Sequence, residues 1–286
     1  MGSSFNYKDV EFRRRVINVD SRSRNISNNP QPNPFELRLD DEQNYSDVVY
    51  CKLISAIIPA TDFNVSEDNN GFSIIDNGVQ YDVLLPPCDY DINSLIVELT
   101  NQVTPLATTN VYTFSVVCGR LQIEGTGGVL PFQFLFESGP YADKVVPANN
   151  NTWRQTVFNR SARNVLGFDI ADYTSTGNPI GVILSPNKIN LLGEPYLLLN
   201  LEQSNTTFEI VTTPNANVKN VFFKLPLSAP RNAFTYLRND YDSYKSFTPV
   251  IKNLKELKIT LLKYSGKPYN FQGVDYSFQL EIGTLK

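Results

Sequence analysis

The chain has no histidine in its 286 residues. Without it there can be no Ser/His/Asp or Cys/His triad, no imidazole acid–base chemistry at neutral pH and no His-ligated zinc or iron. Methionine and tryptophan occur once each, and cysteine three times, at Cys51, Cys88 and Cys118. An odd count at those spacings fits no zinc motif, redox motif or disulfide framework, which points to synthesis in a reducing compartment. Cys51 lies in an apolar run and reads as a buried thiol. Charged residues are scarce at 19%, against ~25% in ordinary globular chains. A net charge of −4 and a pI near 5.0 leave no broad basic surface, so nucleic acid is not the expected partner. No apolar stretch approaches the ~18 residues that span a membrane, and the N-terminus lacks the apolar core of a signal peptide. The expectation is a soluble product of the cytoplasm.

Phosphate loops are missing as well. Gly125-Thr126-Gly127-Gly128 lacks the Lys-Ser/Thr pair that a P-loop requires. Paired acids such as Asp40, Asp41 and Glu42, or Glu67 and Asp68, sit in polar turns and read as solvated loop charge rather than as a glycosidase pair. Asp169 and Asp172 share an i, i+3 spacing that could face a cation, but helix termination and turn formation account for them more simply. The sequence predicts no enzyme, no catalytic residue, no cofactor and no metal site.

What the chain does hold is aromatic: 18 Phe and 15 Tyr. That bias favours strands with aromatic cross-strand pairs. Residues 35–39 alternate apolar and polar, and 48–58 form a longer β-branched run ended by Pro59. Asp76-Asn77-Gly78 between 72–75 and 79–85 is a hairpin signal. Asp91 stands where a cap should, ahead of Ile92, Leu95, Ile96 and Leu99, which predicts one helix over 92–103. Further strands are expected at 111–117, 120–124, 131–136, 181–184, 196–201, 208–212, 218–224, 256–264 and 275–282. Residues 161–166 read as a short helix stopped by Gly167, with Val165, Leu166 and Phe168 plugging the end of a sandwich. A dozen short strands without a fixed-period repeat indicate an all-β, antiparallel two-sheet sandwich.

The N-terminal part looks different. Residues 1–33 lack periodicity except for VINV at 16–19, a possible short added strand, and the prolines among residues 28–34 stop any regular element. The sequence predicts an extended arm at 1–33 and a single sandwich domain at 34–286. The arm's Arg13, Arg14, Arg15, Val16, Ile17, Val19, Arg22 and Arg24 are its candidate assembly contacts, ordering only when a neighbour receives them. A second cluster, Tyr236, Arg238, Tyr241 and Tyr244, resembles a stacking surface for single-stranded nucleic acid, but Asp240 and Asp242 dilute its charge. Its composition suits a protein interface better.

VINVDSRSRN at 16–25, NPFELRL at 33–39 and VVYCKLISAIIP at 48–59 are followed by NNGFSIIDNGVQYDVLLPPCDYDINSLIVELTNQV at 69–103. SARNVLGF at 161–168 and LLGEPYLLLNL at 191–201 complete the series. In order and spacing these pieces resemble a family of structural proteins from large icosahedral, nucleocytoplasmic DNA viruses. The resemblance implies a jelly-roll-like sandwich in a virion. It implies either a minor capsid (cementing) protein, holding the major capsid protein and other minor capsid proteins together, or a penton protein forming a pentamer at the fivefold vertices. A receptor- or glycan-binding fibre head is the third reading, for which Tyr141 and Trp153 would supply an aromatic platform.

Overall fold

The structure, a computed structural model, describes residues 12–39, 45–106, 108–128, 131–147, 154–177, 180–203, 206–208, 218, 221–239 and 244–286. Three strands come first: β1 (Phe12–Asp20), β2 (Phe35–Arg38) and β3 (Ser46–Pro59). Next are β4 (Gly71–Asp76), β5 (Val79–Leu84), the helix α1 (Ile92–Val103), β6 (Val111–Val117), β7 (Arg120–Thr126) and β8 (Gln133–Leu135). They are followed by β9 (Lys144–Pro147), β10 (Arg154–Val157), the short helix α2 (Arg163–Leu166), β11 (Tyr173–Thr174) and β12 (Ile180–Lys188). The last run holds β13 (Tyr196–Gln203), β14 (Thr206–Thr207), β15 (Phe223–Pro226), β16 (Phe234–Arg238), β17 (Lys245–Asn253), β18 (Glu256–Leu262) and β19 (Ser277–Leu285). All pairings between these strands are antiparallel.

The chain divides into two compact units, one made of Met1–Asp62 with Glu194–Lys286 and the other of Phe63–Gly193. The single body expected over 34–286 is thus interrupted by a second one. The reason is visible in the cores: one buried cluster draws only on residues up to Ile58 and from Leu197 onward, and another only on residues between Val65 and Ile183.

In the first unit one sheet runs β1-β19-β3-β16, with β17 continuing along β3, and the other runs β2-β18-β13, with β14 and β15 sharing the far edge of β13. Taken as broken halves, β14 and β15 form one strand position and β16 and β17 another, which leaves eight positions in chain order. The sheets then read 1-8-3-6 and 2-7-4-5, with first pairing last, second pairing seventh, and so inward. That nesting is a jelly roll. Strand alternation drives it: Phe278, Leu280 and Ile282 on β19 face Leu257, Ile259 and Leu261 on β18 and Leu197, Leu199 and Leu201 on β13, all buried in one cluster.

The arm expected at 1–33 is corrected here. Residues 12–20 are the first jelly-roll strand, paired to β19 residue by residue from Phe12↔Leu285 to Asp20↔Ser277. Ile17 and Val19 stand two apart on one face, and burying both in the chain's own core offsets the entropy of ordering the strand.

The second unit has sheets ordered β11-β8-β4-β5 and β12-β7-β6, and a β9–β10 hairpin. Helix α1 has the expected limits, capped by Asp91, whose carboxylate accepts from Ser94 N at 2.8 Å, and it buries Leu95, Leu99 and Val103. Gly167 ends α2 in the left-handed region at φ 81°, where a Cβ would meet the Asn187 carbonyl oxygen at 2.4 Å. Val165, Leu166 and Phe168 are buried here, Phe168 stacking on Phe136 with centroids 4.6 Å apart. Asn64 ties together the two ends of this unit, donating from Nδ2 to the carbonyls of Tyr90 (2.7 Å) and Leu191 (3.3 Å).

Candidate assembly face

The two jelly-roll sheets present different outer surfaces. On the β2-β18-β13 sheet the outward residues include Glu36, Arg38, Glu256 and an ion pair between Lys258 and Glu202 at 3.8 Å. There Leu198 is buried beneath Val218 and Val221, and Lys224 lies over the Tyr196 ring at 3.9 Å. Among the described residues, charge and cover leave little apolar surface open there.

The outer surface of the β1-β19-β3-β16 sheet is open and mixed. Register sets Arg14 beside Gly283 and Tyr50, Val16 beside Glu281 and Lys52, and Asn18 beside Gln279 and Ser55. Farther along, Ser277 lies opposite Ile57, and Ile57 opposite Tyr236. Tyr236 is 75% exposed and Val16 58%, with Ile57, Phe234, Tyr244 and Leu285 also exposed. Apolar side chains are exposed toward both ends of this face, with the polar row of Asn18, Gln279 and Ser55 between them, a composition that suits an interaction surface. Three rings cross the sheet in a row: Phe12 to Tyr50 at 6.2 Å and Tyr50 to Tyr244 at 5.6 Å. The Tyr50 hydroxyl donates to Glu281 Oε1 at 2.7 Å, and its ring lies so close over Gly283 that a Cβ there would meet it at 2.0 Å. A depression of about 320 Å³ opens between Phe12, Arg14, Tyr50, Lys52, Tyr244 and Glu281. Another of about 330 Å³ lies at the far end, between Ile57, Phe234, Val274 and Asp20.

The two groups of contact residues expected from the sequence are separated in the chain, yet parts of both meet on this face. Arg14 and Val16 are exposed on β1; Tyr236 and Arg238 come from β16, and Tyr244 immediately precedes β17. Tyr241 lies outside the described residues. The other arm residues are placed differently. Ile17 and Val19 point into the core and not onto this face. Arg13 is exposed on the opposite side of β1, and Arg15 extends over the Tyr45 ring at 5.3 Å. Arg22 folds back onto Asp20, with Nη2–Oδ2 at 2.5 Å, and its hydrogen bond holds that carboxyl below the ordinary carboxylate range. Arg24 is a structural residue. Its Nη1 donates to Asp275 Oδ1 at 2.6 Å and to the Ser21 carbonyl at 2.7 Å, while Nε donates to the Asn29 carbonyl at 3.1 Å. These two arginines therefore serve the chain's own corner.

Sites weighed for other chemistry resolve into structure. Asp172 Oδ1 accepts from the backbone N–H groups of Phe136, Glu137 and Ser138 at 3.0, 3.0 and 3.2 Å. Burial pushes its carboxyl up, but those hydrogen bonds and the Ser138 hydroxyl outweigh it and the net shift is downward. Asp169 accepts from Asn187 Nδ2 at 3.0 Å. Tyr141 packs against Gly71, and Trp153, like Asp40, Asp41 and Glu42, lies outside the described residues. Cys51 is buried, which pushes its thiol well up, whereas Cys88 and Cys118 are exposed and free. Among the described residues no three Cys, Asp or Glu side chains gather as a metal site, and no helix is long and apolar enough to cross a membrane.

The class defined by this geometry is an eight-position jelly roll carrying a second folded unit between its third and fourth strands. No protein-family model matches the chain, and no curated protein matches it. Among solved structures it is similar to a crystal structure of a selenomethionine-labelled mavirus penton protein, at 8% identity and a TM-score of 0.47, covering 96% of this chain and 100% of that one. So distant a likeness adds nothing to the strand order, which stands by itself.

Proposed function

We propose that the protein is a non-enzymatic building block of an icosahedral virion, of the vertex (penton) type, whose copies associate through the outer face of the β1-β19-β3-β16 sheet. One observation carries this reading: a complete jelly roll leaves one sheet surface open, and on it Arg14 and Val16 lie with Tyr236, Arg238 and Tyr244. Jelly rolls also serve lectins and cupins, so the fold alone does not decide. The six quoted sequence segments favour the virion. The cementing role depended on a basic arm that stays free until assembly. With β1 paired to β19 and residues 21–24 bonded to 275–276, the open sheet face supports self-association more directly than a free arm does. In this setting the other neighbours are the major capsid protein and minor capsid proteins, and the chain resides in the virion after synthesis in the host cytoplasm.

Density for intact particles, searched for this chain, tests the proposal. The expected result is the jelly roll at the fivefold vertices, with the Tyr236 face buried between copies. Density between major capsomers, or that face turned to solvent, would refute the vertex role.

A further inference from the structure

Resting on the assembly reading, we propose that β1 is exchanged between copies: in the oligomer, the β1 of one chain occupies the place beside β19 of another. Three features support this. First, β1 is both the first described strand and a sheet edge; it pairs with β19 and with no other strand among the described residues. It can leave without breaking any other strand pairing.

Second, the corner after it docks on the same place. Ser21 N donates to the Tyr276 carbonyl at 3.0 Å, Ser21 Oγ donates to Asp275 Oδ1 at 2.6 Å, and Tyr276 N donates to Ser21 Oγ at 3.0 Å. Arg24 adds its bond to Asp275. Residues 12–24 thus form one body whose partners beyond the linker are β19, the two residues just before it, the core around Ile17 and Val19, the Tyr45 ring and the Tyr50 ring of β3. Every one of those partners exists equally on a second copy.

Third, the connection to the rest of the unit is thin. Residues 25–31 are exposed apart from a half-buried Asn29, held by Arg24 at the Asn29 and Pro30 carbonyls, and the next buried residues are Pro32 and Asn33. There Asn33 bonds the backbone of Leu261 and Tyr269 at 2.8–2.9 Å. Seven residues reach about 23 Å when extended. Closed and exchanged forms share the pairing of β1 with β19 and the bonds of Ser21 and Arg24 to residues 275–276; they differ in the linker, including the bonds from Arg24 to the Asn29 and Pro30 carbonyls, and rising concentration favours exchange. The exchange would seal each copy to the next with the buried Ile17 and Val19, which the open face alone cannot do. Arg13, Arg14 and Arg15 then keep a transiently free edge from pairing at random.

A disulfide placed across the strand pair tests this directly. Asn18 and Gln279 are opposed in register, and both are exposed. The full chain would carry N18C and Q279C with the exposed thiols removed by C88S and C118S. Oxidised at high concentration, it should give covalent dimers and longer ladders on a non-reducing gel. Oxidised when dilute, it should give internally linked monomers that no longer associate on concentration until reduced. Oligomers containing only internally linked chains, or locked monomers that assemble as well as reduced ones, would overturn the exchange and leave the assembly face standing. A reduced protein that stays monomeric at every concentration would overturn both.

Discussion

Two arginines two residues apart divide the labour of the DSRSRN segment. Arg24 is nearly buried and feeds Asp275 and three backbone carbonyls, whereas Arg22 is exposed and meets only Asp20 in its own turn. Replacing Arg24 by Ala strands those acceptors and should cost about 1.5–3 kcal/mol, read as a lower denaturant midpoint. R22A, which breaks only an exposed pair, should move the midpoint far less. Lys263 and Asp62 pair at 2.5 Å with both side chains buried, so Lys263→Ala removes one partner of a buried ion pair and should cost about 3–5 kcal/mol in the same assay. None of this was legible from the sequence, where the same arginines read as assembly contacts of an extended arm. Asp275 is 251 residues from Arg24, and only the fold brings them together.

At the level of elements, local signals did their work wherever the element stabilises itself. Asp91 with Ser94 fixes the start of α1, and Asn77-Gly78 fixes the β4–β5 hairpin; both have positive-φ or capping chemistry within a few residues. The VINV run predicted a strand, yet nothing local says that its partner is β19 rather than a neighbouring chain. β16 and β17 went unread because FTYLR is short and KSFTPVIKN holds a proline and bulges against β3. Large-to-small changes should separate the two units. Ile17→Ala in β1 and Leu99→Ala in α1 each remove buried side chains at a cost of about 2–5 kcal/mol. The first should lower only the unfolding of the jelly roll and the second only that of residues 63–193, followed by amide exchange within each.

For the whole molecule, two cores without a shared residue make unfolding more than a single two-state step. Titration bounds its stable range. Asp20, Asp91 and Asp172 have depressed pKa values in the fold, so their contribution is present above the ordinary carboxylate value near 4 and is lost as pH falls through the folded values. Burial raises Tyr276, Tyr112 and Tyr90, the last to about 12; their contribution is present below the ordinary tyrosine value and is lost as pH rises through the folded ones. Thermal midpoints should stay level between about pH 5 and 9 and fall on either side. The sandwich class was readable from alternation and aromatic content, while the inserted unit was not, since strands of both units carry the same pattern. The central claim, association through the open sheet face, is tested most directly by native mass measurement of the purified chain beside a V16D/Y236D variant. The account predicts a closed ring of identical copies for the first and a monomer with an unchanged unfolding midpoint for the second. A wild-type chain that is monomeric at every concentration, or a variant that forms the same ring, would contradict it.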